Sequence, residues 1–180
     1  MSRFTNTLAT PPCRMPKGPD IDRGTASLGL DSLAGRAATI IETAHTGKGP
    51  IMSTMRHLAS PIAKSFSEAL RIDTEAGSWI FVSGQVGVAI PPDNKPISFE
   101  QEVRVTFDRI RESLRKLDAD MDKIVSIKVY LTDLAPYAEF SKVRGEVFPH
   151  NPPTSSAVQV AGLLLGARIE IDAVAFIAKG

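Results

Sequence analysis

One cysteine, one tryptophan and a net charge of +1 in 180 residues leave several classes of protein without support. Cys13 has no second thiol with which to close a disulfide, and no Cys/His spacing resembles a zinc site. The histidines, His45, His57 and His150, are far apart in the chain. With 21 Lys and Arg against 20 Asp and Glu, the overall balance gives no electrostatic footprint for nucleic acid or an anionic membrane. No apolar run approaches the length of a membrane span, and no signal-peptide pattern opens the chain. A cytoplasmic, reducing compartment is the expectation.

What is present divides unevenly. Residues 1–55 are rich in Pro, Gly, Ser and Thr near their start and show no sustained period, so they are expected to form a disordered or weakly ordered extension. Within them DSLAGRAATIIETA (31–44) has the spacing of a short helix, with Asp31 or Ser32 as cap and Leu33, Ala37, Ile40 and Ile41 on one side. Arg3, Arg14 and Lys17 precede any acid, as in an organelle transit peptide. The simpler expectation is a dispensable tail or a start codon placed early, with Met52 or Met55 a sensible beginning for the folded part. The folded domain is then 56–180, and 43% apolar residues with 23% charged is ordinary for one globular core.

From Ser65 the periods are clear. SFSEALRID and SWIFVSGQV read as two strands joined by the turn residues TEAG. GVAIPPDNKPI (87–97) carries three prolines and is a loop. Ser98 and Gln101 then have the spacing of a capping box. Val103, Phe107, Ile110, Leu114 and Leu117 follow at three- and four-residue steps, with Arg104, Asp108, Arg111, Glu112 and Arg115 on a solvated face. DKIVSIKVYLTDL is a strand, with Ser126, Lys128 and Tyr130 opposite Val125, Ile127, Val129 and Leu131. APYAEFSKVRGEVF is a second helix, stopped by PHNPP. TSSAVQVAGL and ARIEIDAVAFIA are strands flanking a loop through Leu164–Gly166. Strand, strand, helix, strand, helix, strand, strand predicts an α+β domain: a single mixed sheet with two helices on one face.

Two helices cover only one face of such a sheet. Ile169, Ile171 and Ala173 are expected under them, and Arg168, Glu170 and Asp172 on the open face. Trp79, Phe81 and Ser83 share one side of their strand, opposite Ile80 and Val82, so both faces of that strand carry bulk that favours burial. An apolar patch on the uncovered face predicts a homo-oligomer of closed symmetry, with any cleft between subunits.

FVSGQVGV, the helix after it, SIKVYLTDLAPYAEFSKV, NPPTSSAVQV and ARIEIDAVA resemble, in that order, successive blocks of the RidA family (reactive intermediate deaminase A, the YjgF-type proteins). The resemblance spans roughly Ser65 to Lys179. It implies a chorismate-mutase-like fold, a homotrimer with a site in each cleft between subunits, and hydrolysis of small reactive enamines and imines such as 2-aminoacrylate. It also implies that neither a metal nor an organic cofactor is used. By position, Glu170 matches the family's water-orienting glutamate, and Ser83 and Gly84 match residues that line its pocket. Phe66 stands where a tyrosine is frequent, Ser141 where an asparagine is common, and Ala157 where some members carry cysteine.

The largest departure is Ser155. The stretch matching PPTSSAV contains an arginine in the deaminating members, where a guanidinium fork clamps the substrate carboxylate. Loss of such a contact costs about 2–5 kcal/mol in a desolvated site. Thr154, Ser155 and Ser156 offer hydroxyls to a neutral or smaller group instead. Arg168 is a possible accessory cation beside Glu170; the simpler expectation is an ion pair with Glu170 or Asp172. Two functions stay open: a deaminase-like hydrolase of non-standard specificity, and a non-catalytic small-molecule binding or sensing trimer. RNA cleavage or translation inhibition, proposed for some members, is disfavoured by the near-neutral charge and the lack of a basic aromatic strip.

Overall fold

Along the last strand of the chain, Ile169, Ile171, Ala173 and Ala175 are buried, while Glu170, Asp172 and Val174 between them are only partly covered. This two-residue period sets the whole architecture: one face of a sheet lies under helices and the other does not. The computed structural model describes residues 40–45, 53–88 and 97–180. Its strands are β1 (Ile40–His45), β2 (Ser53–Ala59), β3 (Ser67–Asp73), β4 (Gly77–Val86), β5 (Ile124–Leu131), β6 (Thr154–Gln159) and β7 (Ile169–Ala178). They form one sheet in the order β1-β2-β3-β4-β7-β5-β6. Neighbours are antiparallel except β5 and β6, which run parallel on either side of a helical crossover.

The helices are α1 (Phe99–Arg115) and α2 (Tyr137–Val147). α1 begins as its spacing predicts: the Gln101 N–H donates to Ser98 Oγ at 3.1 Å, and the Ser98 N–H donates to Gln101 Oε1 at 2.9 Å. Its stripe Val103, Phe107, Ile110, Leu114 and Leu117 is buried to 1% exposure or less. Phe107 meets Phe140 of α2 at 6.5 Å and Phe148, just beyond α2, edge-on at 5.7 Å. Each such side chain contributes about 1.5–3 kcal/mol on burial. The outer face of α1 is charged and paired: Arg104 with Glu100 and Glu146, Arg111 with Asp108, Arg115 with Asp120. This is the solvated face that the interleaved acids indicate.

Three features differ from the sequence expectation. The helix expected over residues 31–44 is not what Ile40–His45 forms: that stretch is β1, and residues 31–39 lie outside the described ones. Ile40, Ile41 and Thr43 are β-branched, and an antiparallel partner in β2 favours the strand. β2 itself, STMRHLA, is too polar to stand out by alternation, so the sheet takes in chain ahead of residue 56. A bulge between Ile124 and Ser126 turns Val125 outward, 42% exposed, and Ile124 takes the inner place. The proline loop of residues 87–97 lies mostly outside the described residues.

Candidate functional site

The register of β4 against β7 slips at one point. Val82 pairs with Ala173 and Gln85 with Ile171, so Ser83 and Gly84 together face Asp172. The bulge brings the glycine backbone beneath Glu170. A methyl group on Gly84 would overlap Glu170 Oε1 and lie 2.8 Å from its Cδ. Absence of a side chain is therefore what lets the carboxylate lie across the strand. Burial raises the Glu170 pKa above the ordinary glutamate value, and the neighbouring Asp172 charge raises it further. Asp172 accepts from the Tyr130 hydroxyl at 3.2 Å, and its charge, with burial, raises the tyrosine pKa.

Beside this bulge an open cleft of about 580 Å³ runs over the uncovered face. Phe66, Ser83 and Gly84 line it together with His57, Lys128 and Asp172. The Ser83 hydroxyl donates to the Ser67 carbonyl at 2.8 Å, so its lone pairs face the cleft without its proton. His57 Nδ1 lies 3.1 Å from Ser67 Oγ. Four sequence-predicted positions, Phe66, Ser83, Gly84 and Glu170, thus occupy one region of the open face. Among the described residues no three His, Cys, Asp or Glu side chains are grouped as a metal site requires.

The other predicted positions lie elsewhere. Ser155 and Ala157 pair in β6 with the buried Ile127 and Val129, so their side chains point to the helix-covered side. Ala157 is half-buried against the core. Ser155 accepts a hydrogen bond at 3.1 Å from Arg144 Nη1, and Ser141 accepts one at 3.3 Å from Nη2 of the same guanidinium. The charged group stacks on the Phe140 ring, 5.1 Å from its centre. Arg144 was not singled out by sequence reasoning. The signal was present: it follows Ser141 by one helical turn, on the helix that crosses over from β5 to β6.

Arg168 does not share the face of Glu170. It precedes β7, its Nε donates to Glu102 Oε2 at 2.6 Å, its backbone N–H donates to Glu102 Oε1 at 2.7 Å, and its Nη2 donates to the Ile97 carbonyl at 2.8 Å. Its charge also lies 5.6 Å from the centre of the Phe99 ring. The ion pair expected of it therefore exists, but with Glu102 of α1 in place of Glu170 or Asp172. Glu102 is nearly fully buried, and a buried carboxylate demands a charged, hydrogen-bonded partner more strongly than a half-exposed one does.

Among the described residues no helix is long and apolar enough to cross a membrane. In sequence, the chain is 31% identical over 142 residues to the mitochondrial protein MMF1 of Saccharomyces cerevisiae, covering 78% of this chain and 92% of the relative. It is 28% identical to the chloroplastic Reactive Intermediate Deaminase A of Arabidopsis thaliana, over 84% of this chain and 79% of the relative. In structure, yeast Mmf1 superposes with a TM-score of 0.55 at 32% identity, over 64% of this chain and 90% of its own. RidA from an Antarctic Psychrobacter gives a TM-score of 0.55 at 25% identity, over 66% and 92%. The family model described as Endoribonuclease L-PSP matches residues 57–177, and with the ordered blocks, the sheet and these relatives in agreement, the chain belongs to the RidA/YjgF family.

Proposed function

We propose that this chain hydrolyses small reactive enamines and imines of the 2-aminoacrylate type, releasing ammonia, in clefts formed between copies of itself. The observation that carries the reading is Glu170 lying across Gly84 beside the open cleft, with its carboxyl held above the ordinary glutamate range. An enamine such as 2-aminoacrylate takes a proton on carbon and releases one from nitrogen, which makes it the imine. Water adds to the C=N carbon, one proton passes to nitrogen, and the carbinolamine expels ammonia to leave a 2-oxo acid. A carboxyl with a raised pKa suits both the placing of the water and the passing of the proton. The electrophile is already present in the substrate, so no stronger base is required.

Two copies are required because the groups are divided. Glu170, Gly84, Ser83 and Phe66 lie on the open face, whereas Ser141, Ser155 and Ala157 belong to the helix-covered side next to the β6 edge. A closed ring, with a homotrimer as its expected form, brings the β6 edge of one subunit against the open face of the next. The exposed Trp79 and Phe81 support association through that face. The net charge of +1 supports a small substrate over RNA, whatever the description of the family model. For the compartment, the cytoplasm is the reading that a lone Cys13 supports; two relatives carry organelle names, so imaging of a C-terminally tagged chain is the deciding measurement.

The test is ammonia release from freshly generated 2-aminoacrylate. The wild-type chain is expected to accelerate it, and Glu170→Gln to lower the rate by about a hundredfold or more, the usual range for removing a general acid–base group. No acceleration over the spontaneous reaction overturns the hydrolase reading. Ligand binding without turnover would then favour a binding or sensing trimer, the reading to which the uncharged Ser155 points.

A further inference from the structure

We propose that Arg144 is the carboxylate-binding cation of this chain, presenting from α2 the guanidinium that the strand lacks at Ser155. The proposal rests on the reading that the cleft takes small imino or oxo acids, and it names the residue that selects them. The two hydroxyls that hold Arg144, at 3.1 and 3.3 Å, belong to Ser155 and Ser141, two of the positions at which this chain departs from the deaminating pattern. A serine at 155 is short enough to leave room for a long side chain arriving from the helix. A second arginine there would bring two like charges together.

The state of the guanidinium favours an anion. The guanidinium lies over the fully buried Phe140, 5.1 Å from carbon to ring centre, and the two serines each accept from one of its terminal nitrogens. Two of its five N–H groups are then used, and three remain. Among the described residues Arg144 forms no ion pair, whereas other cations of the two helices are neutralised: Arg104 by Glu100 and Glu146, Lys142 by Glu100. A half-buried guanidinium held by two hydroxyls, with no carboxylate partner among the described residues, offers the fork that a carboxylate ligand fills with two parallel bonds. Hydroxyls orient such a group without cancelling its charge.

The test uses pyruvate, the 2-oxo acid that hydrolysis of 2-iminopropanoate leaves, titrated calorimetrically against the full-length chain. Methyl pyruvate serves as the uncharged control. Arg144→Ala is expected to weaken pyruvate binding about thirtyfold, the equivalent of ~2 kcal/mol, and to leave methyl pyruvate unchanged. Arg144→Lys, which keeps the charge but loses the fork, is expected to fall between, and serves if the alanine variant fails to fold. The double variant Arg144→Ala/Ser155→Arg is expected to recover pyruvate affinity by returning the cation to the strand. Equal pyruvate affinity in wild type and Arg144→Ala, or no pyruvate binding by wild type, overturns the proposal. A chain that binds pyruvate through Arg144 yet releases no ammonia from 2-aminoacrylate sinks the hydrolase reading and upholds the clamp. Ammonia release that survives Arg144→Ala unchanged does the reverse.

Discussion

On the helix-covered face of the sheet Ile80, Val82, Ile127, Val129, Ile169 and Ile171 are at most 3% exposed, whereas on the other face Trp79 and Phe81 remain 40% and 44% exposed. The same strands build both faces, so backbone and propensity do not distinguish them. What differs is the use of the apolar area. On the covered face it is consumed in folding, where each side chain contributes about 1.5–3 kcal/mol. On the open face it stays available for association, and titratable groups with perturbed pKa values sit among it: Glu170 and Tyr130, both raised. The covered face thus defines the fold, and the open face is where the proposed chemistry and the proposed contacts between copies are placed.

Two glycines of the β4 end separate these roles. A methyl on Gly84 meets only the flexible end of the Glu170 side chain, which can swing away. A methyl on Gly87 would collide with the Glu102 backbone carbonyl and lie 2.6 Å from Thr106 Oγ1, both on α1. Gly84→Ala is therefore expected to lower ammonia release by about a hundredfold through loss of Glu170 placement, with a melting temperature close to wild type. Gly87→Ala is expected to cost about 1–3 kcal/mol of stability by overpacking. Denaturant unfolding together with the ammonia assay reads both. A Gly84→Ala chain of full activity, or a Gly87→Ala chain of wild-type stability, would break the division.

The next effect down is on assembly. Trp79→Glu places a charge in the open face near Phe176, whose ring lies 4.7 Å from the indole, and leaves the core untouched. The expected outcome is a shift from oligomer to single chains in light scattering, with helical circular dichroism retained. Within one folded chain an exposed-site change of this kind costs about 0.5 kcal/mol or less. An oligomer that persists in the variant would show that the open face is not the contact.

Most of the fold was legible in the sequence, because long periodic segments leave little choice. The α1 stripe and its capping box are where the spacing puts them, and so is the inner row of β7. β1 and β2 were not: the segment holding β1 has helical spacing, and in β2 Arg56, His57 and the Ser and Thr around them give no clean alternation, so that strand, paired on both sides, takes much of its stability from its neighbours. The site was legible in halves. Glu170 and Gly84 were singled out only through the resemblance of their blocks to the family, and the overlap between them depends on a bulge that no composition announces. Arg168 was misplaced for a related reason: alternation was extended one residue past the point where β7 begins, and the buried Glu102 captures it. Arg144 escaped because its meaning depends on Ser155 and Ser141, which touch it only after α2 crosses back over the sheet.

The smallest effect expected concerns pH, and it sets one carboxylate on each face against the other. Asp73, on the covered side, is subject to burial that alone would raise its pKa, but hydrogen bonds from Ser78 and Arg71 hold it below the ordinary aspartate value of 3.8. Its contribution to stability is present above that value and is lost as pH falls through the lowered one. Glu170 has the opposite sign. The folded chain holds its proton more tightly than the unfolded chain does, so its contribution is full below the ordinary value of 4.5 and is lost as pH rises through the raised one. Glu170→Gln removes this second slope. The variant's stability relative to wild type is therefore expected to improve as pH rises past the ordinary glutamate value of 4.5 and then to level off, as thermal melts across a pH series would record. Asp73→Asn is expected to do the reverse, its deficit being largest at neutral pH and shrinking on acidification. Parallel pH profiles for wild type and Glu170→Gln would mean that the carboxyl on the open face is as well solvated as one in water.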